Sequence, residues 1–578
     1  MADIAERSQR IVSDWLKRQS QDEPSADPLN IGSAFLEMTA RMMANPARVM
    51  QAQLGFWQDY MTLWQNTAKR MMGMETEPVI DAPSTDRRFK DDAWRTNEVF
   101  DFIKQSYLLS ARYVQDVVKH VDGLDPKTAQ KVDFYARQFT DAMSPSNFLF
   151  TNPEVLRKTA ETGGENLLKG LNNLLADLER GKGKLRIKMT DTEAFRLGDN
   201  IAVSPGKVIF QNDLMQLIQY QAATAQVLKT PLLIVPPWIN KFYILDLTPE
   251  KSYIKWCVDQ GITVFVISWV NPDAKLAQKS FEQYMREGPL AALAAIAEIT
   301  GEESVHSVGY CVGGTLLTIA LAYLAAQNDN RVKSATLFAA QVDFTFAGDL
   351  LVFVDEERIQ QLEAHMKEQG YLEASRMATA FNMLRSNDLI WPYVVNNYLR
   401  GKKPYPFDIL YWNADATRMP AANHSFYLRN CYLNNTLAKG KMKIAGETLD
   451  LKKVTVPIYN LATREDHIAP AKSVLFGSKF FGGPVKYVLA GSGHIAGVVN
   501  PPSNRPKYQY WTGSAPRGAN VDKWLAKATE HPGSWWPDWL DWIRAIDAET
   551  VPARAIGGGK FKPLEDAPGA YVKVKSWT

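Results

Sequence analysis

The chain has 578 residues, 46% of them hydrophobic and 22% charged, and this length predicts two domains, since one domain typically spans ~100–200 residues. Its net charge of +3, without any long block of Lys and Arg, excludes the electrostatic footprint of a nucleic-acid-binding protein. Only three cysteines, a polar first segment without a signal-peptide core, and no apolar run of about 18 residues predict a cytoplasmic protein without disulfides or membrane spans.

Helical patterns with almost no strand signal fill the first part of the chain and predict a helical N-terminal domain over residues 1–190. Residues 1–30 are polar and are expected to be disordered. Asn45 and Pro46 predict the start of a helix, as an N-cap followed by a first-turn proline. The helix carries one apolar stripe with spacings of three and four: Met50, Leu54, Trp57, Met61 and Trp64. This stripe either packs on the rest of the protein or contacts a hydrophobic body or a partner helix.

Two further helical segments are predicted in this domain. Apolar residues recur at helical spacing from Phe100 to Val117, and the helix should end before Gly123. Asn152, followed by a proline, opens another helical segment with a break near Gly163.

From about residue 191 the pattern changes, and residues 191–578 are predicted to form an α/β domain. Helical stretches alternate with short β-branched runs: Lys207–Phe210, Pro231–Val235, Thr263–Trp269, Ser304–Val308, Ala335–Ala339, Pro457–Leu461 and Val485–Leu489. This alternation predicts a parallel sheet with helices on both faces. No clear strand of that type lies between Ala339 and Pro457, and the aromatic interval at about 345–440 within this gap is predicted to be a lid.

Cys311 lies at the centre of the sequence Gly309-Tyr310-Cys311-Val312-Gly313. A β-branched run precedes it and a helix-forming segment follows. Strand, sharp turn and helix are the context of the nucleophile elbow of an α/β-hydrolase, with a thiol in place of the common hydroxyl. The backbone N–H of Val312 would then be an oxyanion donor. The alternative is a buried structural cysteine.

The acid and the histidine of an α/β-hydrolase triad follow the nucleophile along the chain. His494 lies in a glycine-rich loop directly after the last predicted strand and is the predicted base. Asp466 follows the preceding strand and is the predicted acid, with Glu465 as the competing assignment. For each, the alternative is a polar loop residue without a catalytic role. His365 and His531 lie in polar, helix-like surroundings and are expected at the surface.

A second oxyanion donor usually comes from the loop after an earlier strand. The segment Pro236–Lys241 follows the run Pro231–Val235, and the backbone around Ile239 is the candidate donor. The two prolines of this segment could equally serve only to stiffen the connection.

A cysteine nucleophile favours one class of substrate. A thiolate exchanges with a thioester at nearly balanced energy, whereas an ester or amide requires it to expel a poorer leaving group. The acyl group stays activated on sulfur and can be passed to a hydroxyl. A lid that excludes water would protect this acyl-enzyme from hydrolysis. The residues therefore predict acyl transfer from a thioester.

Five segments of the chain together resemble the polyhydroxyalkanoate synthases. They are Gly309–Gly314, Pro237–Leu247, Arg464–Ile468, Gly491–Gly497 and His531–Trp539, and the likeness runs from about residue 90 to 545. The resemblance implies that (R)-3-hydroxyacyl-CoA is the substrate, that CoA is released, and that the polyester grows on the enzyme. It assigns the growing acyl chain to Cys311 and the activation of that residue to His494. Asp466 either orients His494 or activates the substrate 3-hydroxyl.

The resemblance also implies a subclass and partners. Tyr310 and Val312, with an N-terminal helical domain, resemble class I, the single-subunit type that takes short acyl chains; class II, for medium-length chains, is the alternative. The family implies a homodimer with contacts in the aromatic lid region, located in the cytoplasm on polyester granules. The N-terminal amphipathic helix could bind the granule surface or granule-associated proteins. No cofactor or metal is implied, because the CoA thioester is itself the substrate.

Three residues are candidates for substrate binding. Arg385 resembles a family position linked to CoA entry, and its alternative is an ordinary lid surface charge. Asn240 and His467 lie within the resembling segments beside the oxyanion and acid candidates. No phosphate-binding glycine loop is visible for CoA. A thioesterase or lipase with the same triad and a non-catalytic granule scaffold are the rival functions.

Overall fold

The computed structural model describes residues 6, 7, 10, 31–44, 46–514, 516 and 518–576. The chain divides into two compact units, Met1–Asp191 with Ala380–Tyr405, and Thr192–Thr379 with Pro406–Thr578. The prediction of disorder for residues 1–30 falls almost entirely outside the described residues, as does the predicted cap Asn45. Among the described residues, no helix combines the length and the apolar character that crossing a bilayer requires.

Helices form the N-terminal part of the first unit, as the sequence predicts. They span Ile31–Ala44, Pro46–Met71, Ala93–Thr96, Glu98–Lys119, Pro126–Ala142, Pro153–Glu161 and Glu165–Arg180. Side-chain caps fix several starts: the Asn97 carboxamide accepts from the N–H groups of Val99 and Phe100, and Asn152 caps the helix that begins with Pro153. The predicted break near Gly163 separates the last two helices, with Gly164 at a φ of 86°.

The helix Pro46–Met71 packs through a different face from the predicted apolar stripe. Its inner face places Phe56 at 5.2 Å from Tyr113 of the helix Glu98–Lys119, measured between ring centroids, and buries Leu63. The five stripe residues are instead 52% to 61% exposed. Packing of the stripe on the rest of the protein, one of the two alternatives, is therefore wrong. The stripe Met50, Leu54, Trp57, Met61 and Trp64 is called the exposed ridge below.

The segment Ala380–Tyr405, within the predicted lid interval, packs inside the first unit. The Asn166 amide donates to the Leu399 carbonyl at 2.7 Å, and the Tyr398 hydroxyl donates to the Asp177 carboxylate at 2.6 Å. A Cβ on Gly170 would lie 1.7 Å from the Tyr398 carbonyl oxygen, so only glycine fits at this crossing. This segment and the helix Glu165–Arg180 therefore form one packed body.

A mixed sheet of eleven strands forms the centre of the second unit. In chain order the strands are β1 (Gly206–Gln211), β2 (Met215–Tyr220), β3 (Leu232–Val235), β4 (Val264–Trp269), β5 (Val305–Tyr310), β6 (Val332–Phe338), β7 (Ile458–Thr463), β8 (Val485–Ala490), β9 (Gln509–Thr512), β10 (Thr529–Pro532) and β11 (Glu565–Asp566). Across the sheet the order is β10-β9-β8-β7-β6-β5-β3-β4-β2-β1-β11. Strands β3 to β8 pair in parallel, and antiparallel strands extend both edges.

All seven predicted strands are present, with ends that differ from the predicted ones by at most three residues. The sequence analysis missed β2 and the edge strands β9, β10 and β11. Strand β2 lacks the continuous apolar run used to predict strands, because two of its buried residues are Gln216 and Gln219. Their amides are satisfied by Gln211 at 2.7 Å and by the Ala555 carbonyl at 3.0 Å.

Helices surround this sheet and fill the interval between β6 and β7. In the second unit they span Tyr253–Asp259, Phe281–Met285, Ala291–Thr300, Val312–Ala326, Glu356–Gln369, Asp408–Ala414, Ala421–Tyr427, Ala471–Gly477, Val521–Leu525 and Trp536–Ile546. The helix Ala374–Leu384 crosses the boundary between the units, and Ser386–Leu389 and Trp391–Tyr393 belong to the first unit. The interval between β6 and β7 adds only two-residue strands, Tyr371–Leu372, Met419–Pro420, Lys443–Ile444 and Glu447–Thr448. The short strands Gln226–Leu228 and Thr550–Pro552 pair outside the main sheet.

Candidate active site

Cys311 occupies the sharp turn between β5 and the helix Val312–Ala326. Its backbone has φ 54° and ψ −128°, a conformation that is strained for any residue with a side chain. The turn is fixed at both sides, because the Cys311 N–H donates to the Phe338 carbonyl and its carbonyl accepts from the Gly314 N–H, both at 2.9 Å. The thiol thus lies at the start of a buried helix and is itself only partly buried.

The glycines around Cys311 are required by close backbone approach. A Cβ on Gly309 would lie 2.5 Å from the Gly314 Cα, and one on Gly314 would lie 2.4 Å from the Ala340 Cβ. A Cβ on Gly313 would lie 2.3 Å from the carbonyl oxygen of Val235, the last residue of β3. The helix therefore begins in direct contact with the neighbouring strands, and any larger side chain would push the turn away from the sheet.

His494 and Asp466, predicted from separate loops, meet beside Cys311. The His494 Nδ1 atom lies 2.7 Å from the Asp466 Oδ2 atom, and the Cys311 side chain is near enough to His494 to raise the pKa of the imidazole. The Asp466 side chain is completely buried and that of His494 is 9% exposed. Thiol, imidazole and carboxylate therefore lie in the order that a nucleophile, its base and an orienting acid require.

Backbone and side-chain donors surround the Asp466 carboxylate. Its Oδ1 atom accepts from the N–H groups of Ile468 and Ala469, both at 2.8 Å. Its Oδ2 atom accepts from the Thr463 hydroxyl at 2.9 Å, besides its contact with His494. These bonds satisfy a buried charge and fix the plane of the carboxylate against the imidazole.

Tyr310 supports His494 from the nucleophile strand. Its buried hydroxyl donates to the His494 carbonyl at 2.9 Å, and the two rings stack with centroids 5.6 Å apart. One residue of β5 thus holds the loop of the base next to the nucleophile that follows it.

The charges of the triad favour a protonated histidine. Burial by itself lowers the pKa of His494, but the Asp466 carboxylate and the Cys311 sulfur act against it and raise that pKa to about 10. Burial likewise raises the pKa of Asp466, but the positive imidazole and the donors around the carboxylate bring it below its usual value. The buried pair is therefore best described as imidazolium and carboxylate.

The two candidate oxyanion donors belong to adjoining elements. Val312 is the first residue of its helix, so its N–H has no partner four residues earlier within that helix. Ile239 is buried in the loop after β3, and this loop reaches the helix where the Pro236 carbonyl oxygen lies 2.5 Å from an ideal Cβ on Gly313. The loop and the helix N-terminus therefore meet beside Cys311.

The three candidate substrate-binding residues are divided between the two units of the chain. Asn240 and His467 are partly buried and adjoin Ile239 and Asp466 in the chain. Arg385 belongs to the first unit, whereas the triad belongs to the second, and it pairs with Asp388 at 3.4 Å.

The structure shows which of the two acid candidates contacts His494. The carboxylate that contacts His494 is that of Asp466; Glu465 is exposed. His531, expected in helix-like surroundings, lies instead in β10, with its Nε2 atom 2.8 Å from the Thr512 hydroxyl.

Among the described residues, no group of three or more His, Cys, Asp or Glu side chains could hold a metal ion.

Several residues around the triad were missed by the sequence analysis. The Thr463 hydroxyl and the Tyr310 hydroxyl gave no separate signal, although each adjoins a predicted element. Tyr427 is buried and Tyr432 is partly buried in the interval between β6 and β7, with ring centroids 5.5 Å apart. Burial and nearby groups, including Cys311, raise the pKa of both phenols. Their proximity to Cys311 depends on the tertiary fold, so no pattern in the sequence could indicate it.

Two family models match this chain. One, described as the N-terminus of poly-beta-hydroxybutyrate polymerase (PhaC), matches residues 85–257. The other, described as the alpha/beta hydrolase fold, matches residues 279–501. The second match and the strand–turn–helix at Cys311 confirm the predicted α/β-hydrolase fold.

Several curated relatives match over most of their length. A poly(3-hydroxyalkanoate) polymerase of Methylorubrum extorquens is 60% identical over 92% of this chain and 88% of its own. A poly(3-hydroxyalkanoate) polymerase subunit PhaC of Rhizobium meliloti is 54% identical over 100% of this chain and 94% of its own. The PhaC subunit of Cupriavidus necator is 41% identical over 97% of this chain and 95% of its own.

Proposed function

This chain belongs to the poly(3-hydroxyalkanoate) polymerases, acyltransferases that make polyesters, and we propose that Cys311, His494 and Asp466 carry out its chemistry as a catalytic triad. The single observation that carries this proposal is the 2.7 Å contact between His494 and Asp466 beside a strained Cys311. The proposed substrate is an (R)-3-hydroxyacyl-CoA thioester.

The first proposed step loads the enzyme. The proton of the Cys311 thiol is held by His494 as the imidazolium, and the Cys311 thiolate attacks the thioester carbonyl of the substrate. The tetrahedral oxyanion accepts hydrogen bonds from the N–H groups of Val312 and Ile239. The carbon–sulfur bond to CoA then breaks, and CoA leaves as a thiol with the proton that His494 returns. Cys311 keeps the acyl group as a thioester of similar energy.

The second proposed step extends the polyester. The 3-hydroxyl of another substrate loses its proton to His494 and attacks the carbonyl of the chain on Cys311. An ester bond forms, the bond to Cys311 breaks, and the thiol regains a proton. The extended chain, now a CoA thioester, reacylates Cys311 and releases CoA. The change from thioester to ester makes the sequence downhill.

We assign Asp466 to orienting His494 rather than to activating the substrate hydroxyl. Its Oδ2 atom contacts the His494 Nδ1 atom, and its Oδ1 atom accepts two backbone N–H groups. A completely buried carboxylate with both oxygens occupied has little capacity to take a proton from a substrate. It can hold the tautomer and support the imidazolium.

The test of this function uses purified protein with (R)-3-hydroxybutyryl-CoA, beside Cys311→Ala. Free thiol and turbidity are followed together. We expect thiol release with insoluble polyester from the unaltered protein, and neither from the variant. Thiol release with only soluble hydroxyacid would indicate a thioesterase, and an active Cys311→Ala variant would exclude the triad.

We propose a short-chain preference, of class I, from the resemblance at Tyr310 and Val312. The same assay with (R)-3-hydroxyoctanoyl-CoA gives the comparison. We expect the four-carbon substrate to be used at the higher kcat/KM. A higher kcat/KM for the eight-carbon substrate would support the medium-chain alternative.

We also propose that the protein acts in the cytoplasm as a homodimer on the surface of its polyester granules, with the exposed ridge of the helix Pro46–Met71 in contact with the granule. A row of Met, Leu and Trp side chains at helical spacing suits an apolar particle. Trp57→Ser combined with Trp64→Ser should reduce sedimentation with polyester particles without changing thiol release from soluble substrate.

Phe150→Ser is the matched control for this pair, because Phe150 is 80% exposed but lies outside the ridge. Equal sedimentation of the control and the double variant would contradict a specific role of the ridge. Sedimentation equilibrium of the soluble protein tests the dimer separately, and a monomer throughout the assay concentration range would contradict that proposal.

A further inference from the structure

The loop that carries Ile239 is held through its carbonyl groups. The Trp269 indole donates to the Pro236 carbonyl at 2.8 Å, and the Trp412 indole donates to the Lys241 carbonyl at 2.7 Å. Each end of the segment Pro236–Lys241 is therefore pinned by a buried tryptophan from another element.

Thr417 holds the middle of the same loop with two bonds. Its backbone N–H donates to the Ile239 carbonyl at 3.1 Å, and its hydroxyl donates to the Trp238 carbonyl. Thr417 is 1% exposed, so neither bond is open to replacement by bulk water.

The bond from the Thr417 hydroxyl determines where the Ile239 N–H points. The Trp238 carbonyl and the Ile239 N–H belong to one peptide unit, which is planar and trans. Fixing the direction of that carbonyl therefore fixes the direction of the N–H on the opposite side of the plane. A rotation of this peptide would turn away the second oxyanion donor while leaving Cys311 and His494 in place.

A buried ion cluster next to Thr417 holds this segment against the loop. The Asp415 carboxylate, completely buried, lies 2.8 Å from the Lys241 Nζ atom and 2.8 Å from the Lys575 Nζ atom. It also accepts from the Tyr243 hydroxyl at 2.9 Å. Lys241 belongs to the loop itself, so the cluster ties residue 241 to residue 415 directly.

The chain near Lys575 completes the surroundings of Lys241. The Lys241 ammonium donates to the carbonyls of Val572 and Val574 at 2.7 and 2.8 Å. Burial lowers the pKa of Lys241 to about 8, although Asp415 acts against this shift. Residues more than 300 positions away in the chain thus contribute to holding the loop that follows β3.

We propose that Thr417 is a positioning residue that directs the Ile239 N–H toward the reaction oxyanion, and that the Lys241–Asp415–Lys575 cluster holds Thr417 in place. This inference rests on the proposed function, because it requires acyl transfer at Cys311 with Ile239 as a donor. It adds residues that are not members of the triad.

The test separates two reactions of Cys311 in the full-length protein. Acylation by (R)-3-hydroxybutyryl-CoA, followed as the first turnover of CoA release, passes through an oxyanion. Alkylation by iodoacetamide displaces iodide at a saturated carbon and forms no oxyanion. A residue that positions only the oxyanion donor should affect the first rate and leave the second unchanged.

Thr417→Val removes the hydroxyl at nearly constant shape. We expect acylation about 10- to 100-fold slower, because a displaced oxyanion donor should cost less than the ~10²- to 10³-fold lost when a donor is removed, with an unchanged alkylation rate. Thr417→Ser retains the hydroxyl and should restore acylation. A Thr417→Val variant that acylates as fast as the unaltered protein would overturn the proposal, and so would an equal fall in both rates.

Lys575→Met tests the cluster at its more exposed end, where the variant carries less risk of misfolding. We expect acylation to slow severalfold while alkylation stays unchanged; unchanged acylation would overturn the role of the cluster. Lys251→Met is the matched control, since Lys251 pairs with Asp408 at 2.7 Å in the same unit without involving the loop. Failure of the proposed function appears separately, as CoA release that persists in Cys311→Ala.

Discussion

The two sides of the active site are held in place by different means. On the nucleophile side, Cys311 is fixed by its own neighbours, because the glycines on both sides allow strand, turn and helix to touch. On the oxyanion side, the loop Pro236–Lys241 depends on Thr417, Asp415 and Val572, which are distant in sequence. A local motif therefore specifies the proposed nucleophile, whereas the proposed second oxyanion donor is specified by the assembled fold.

Asp466→Asn acts on the nucleophile side and should lower the rate of CoA release more than any substitution outside the triad. The amide cannot support an imidazolium, so the raised pKa of His494 is lost and the imidazole no longer carries the proton at neutral pH. We expect CoA release to fall by about 10³-fold or more, and Cys311 alkylation at pH 7 to slow as well. Glu465→Gln is the control and should retain activity; a loss there equal to that of Asp466→Asn would contradict the assignment.

Gly313→Ala should disturb both sides together, because the added Cβ would meet the carbonyl oxygens of Val235 and Pro236 at 2.3 and 2.5 Å. We expect about 1–3 kcal/mol lower free energy of unfolding and a slower first turnover. Gly55→Ala, in a helix with no atom within 4 Å of the new Cβ, should instead be neutral or slightly stabilising. Urea denaturation of both variants gives the comparison, and equal stabilities would contradict the steric argument.

Tyr310→Phe should have a smaller effect, and one confined to the nucleophile side. The lost hydroxyl leaves the His494 carbonyl without its donor, at a cost of about 1–3 kcal/mol if that carbonyl stays buried. We expect acylation and alkylation of Cys311 to fall by the same severalfold factor. A variant slowed only in acylation would show that Tyr310 acts on the oxyanion side. That result would contradict the assignment of Tyr310 to the nucleophile side.

The last prediction concerns stability rather than rate, and it is a pH dependence that belongs to the nucleophile side. The folded protein raises the pKa of His494 from 6.5 to about 10, so the stability contributed by the charged histidine is complete below pH ~6.5 and is lost as the pH rises through ~10. His494→Gln should therefore be destabilising at pH 6 and nearly neutral at pH 10. Thr417→Val removes no titrating group, and its effect on stability should not vary with pH. Melting temperatures at both pH values test this contrast.

Much of the fold follows from the sequence because its signals are local. The β-branched runs gave the seven strands, and Asn152 and Gly163 gave helix boundaries in the first unit. Strand β2 was missed since its glutamines satisfy their hydrogen bonds inside the protein, which no hydrophobic pattern reveals.

The exposed ridge shows the limit of periodicity. Spacings of three and four correctly predicted one face of the helix Pro46–Met71. The packed face, however, is the one with Phe56, Tyr60 and Leu63, because the aromatic partners on the helix Glu98–Lys119 lie there. Periodicity identifies a face, but the neighbour that covers it comes from elsewhere in the chain.

The sequence by itself determined the nucleophile, its base and its acid as candidates, because each follows a strand within a short motif and chain order assigns the roles. Only the tertiary structure decided that Asp466 rather than Glu465 contacts His494, and that Thr417 and Lys241 hold the loop of Ile239. The physical reason is distance along the chain. Residues one or two positions apart constrain each other through covalent geometry, whereas contacts across more than a hundred residues exist only after the sheet and its helices have packed.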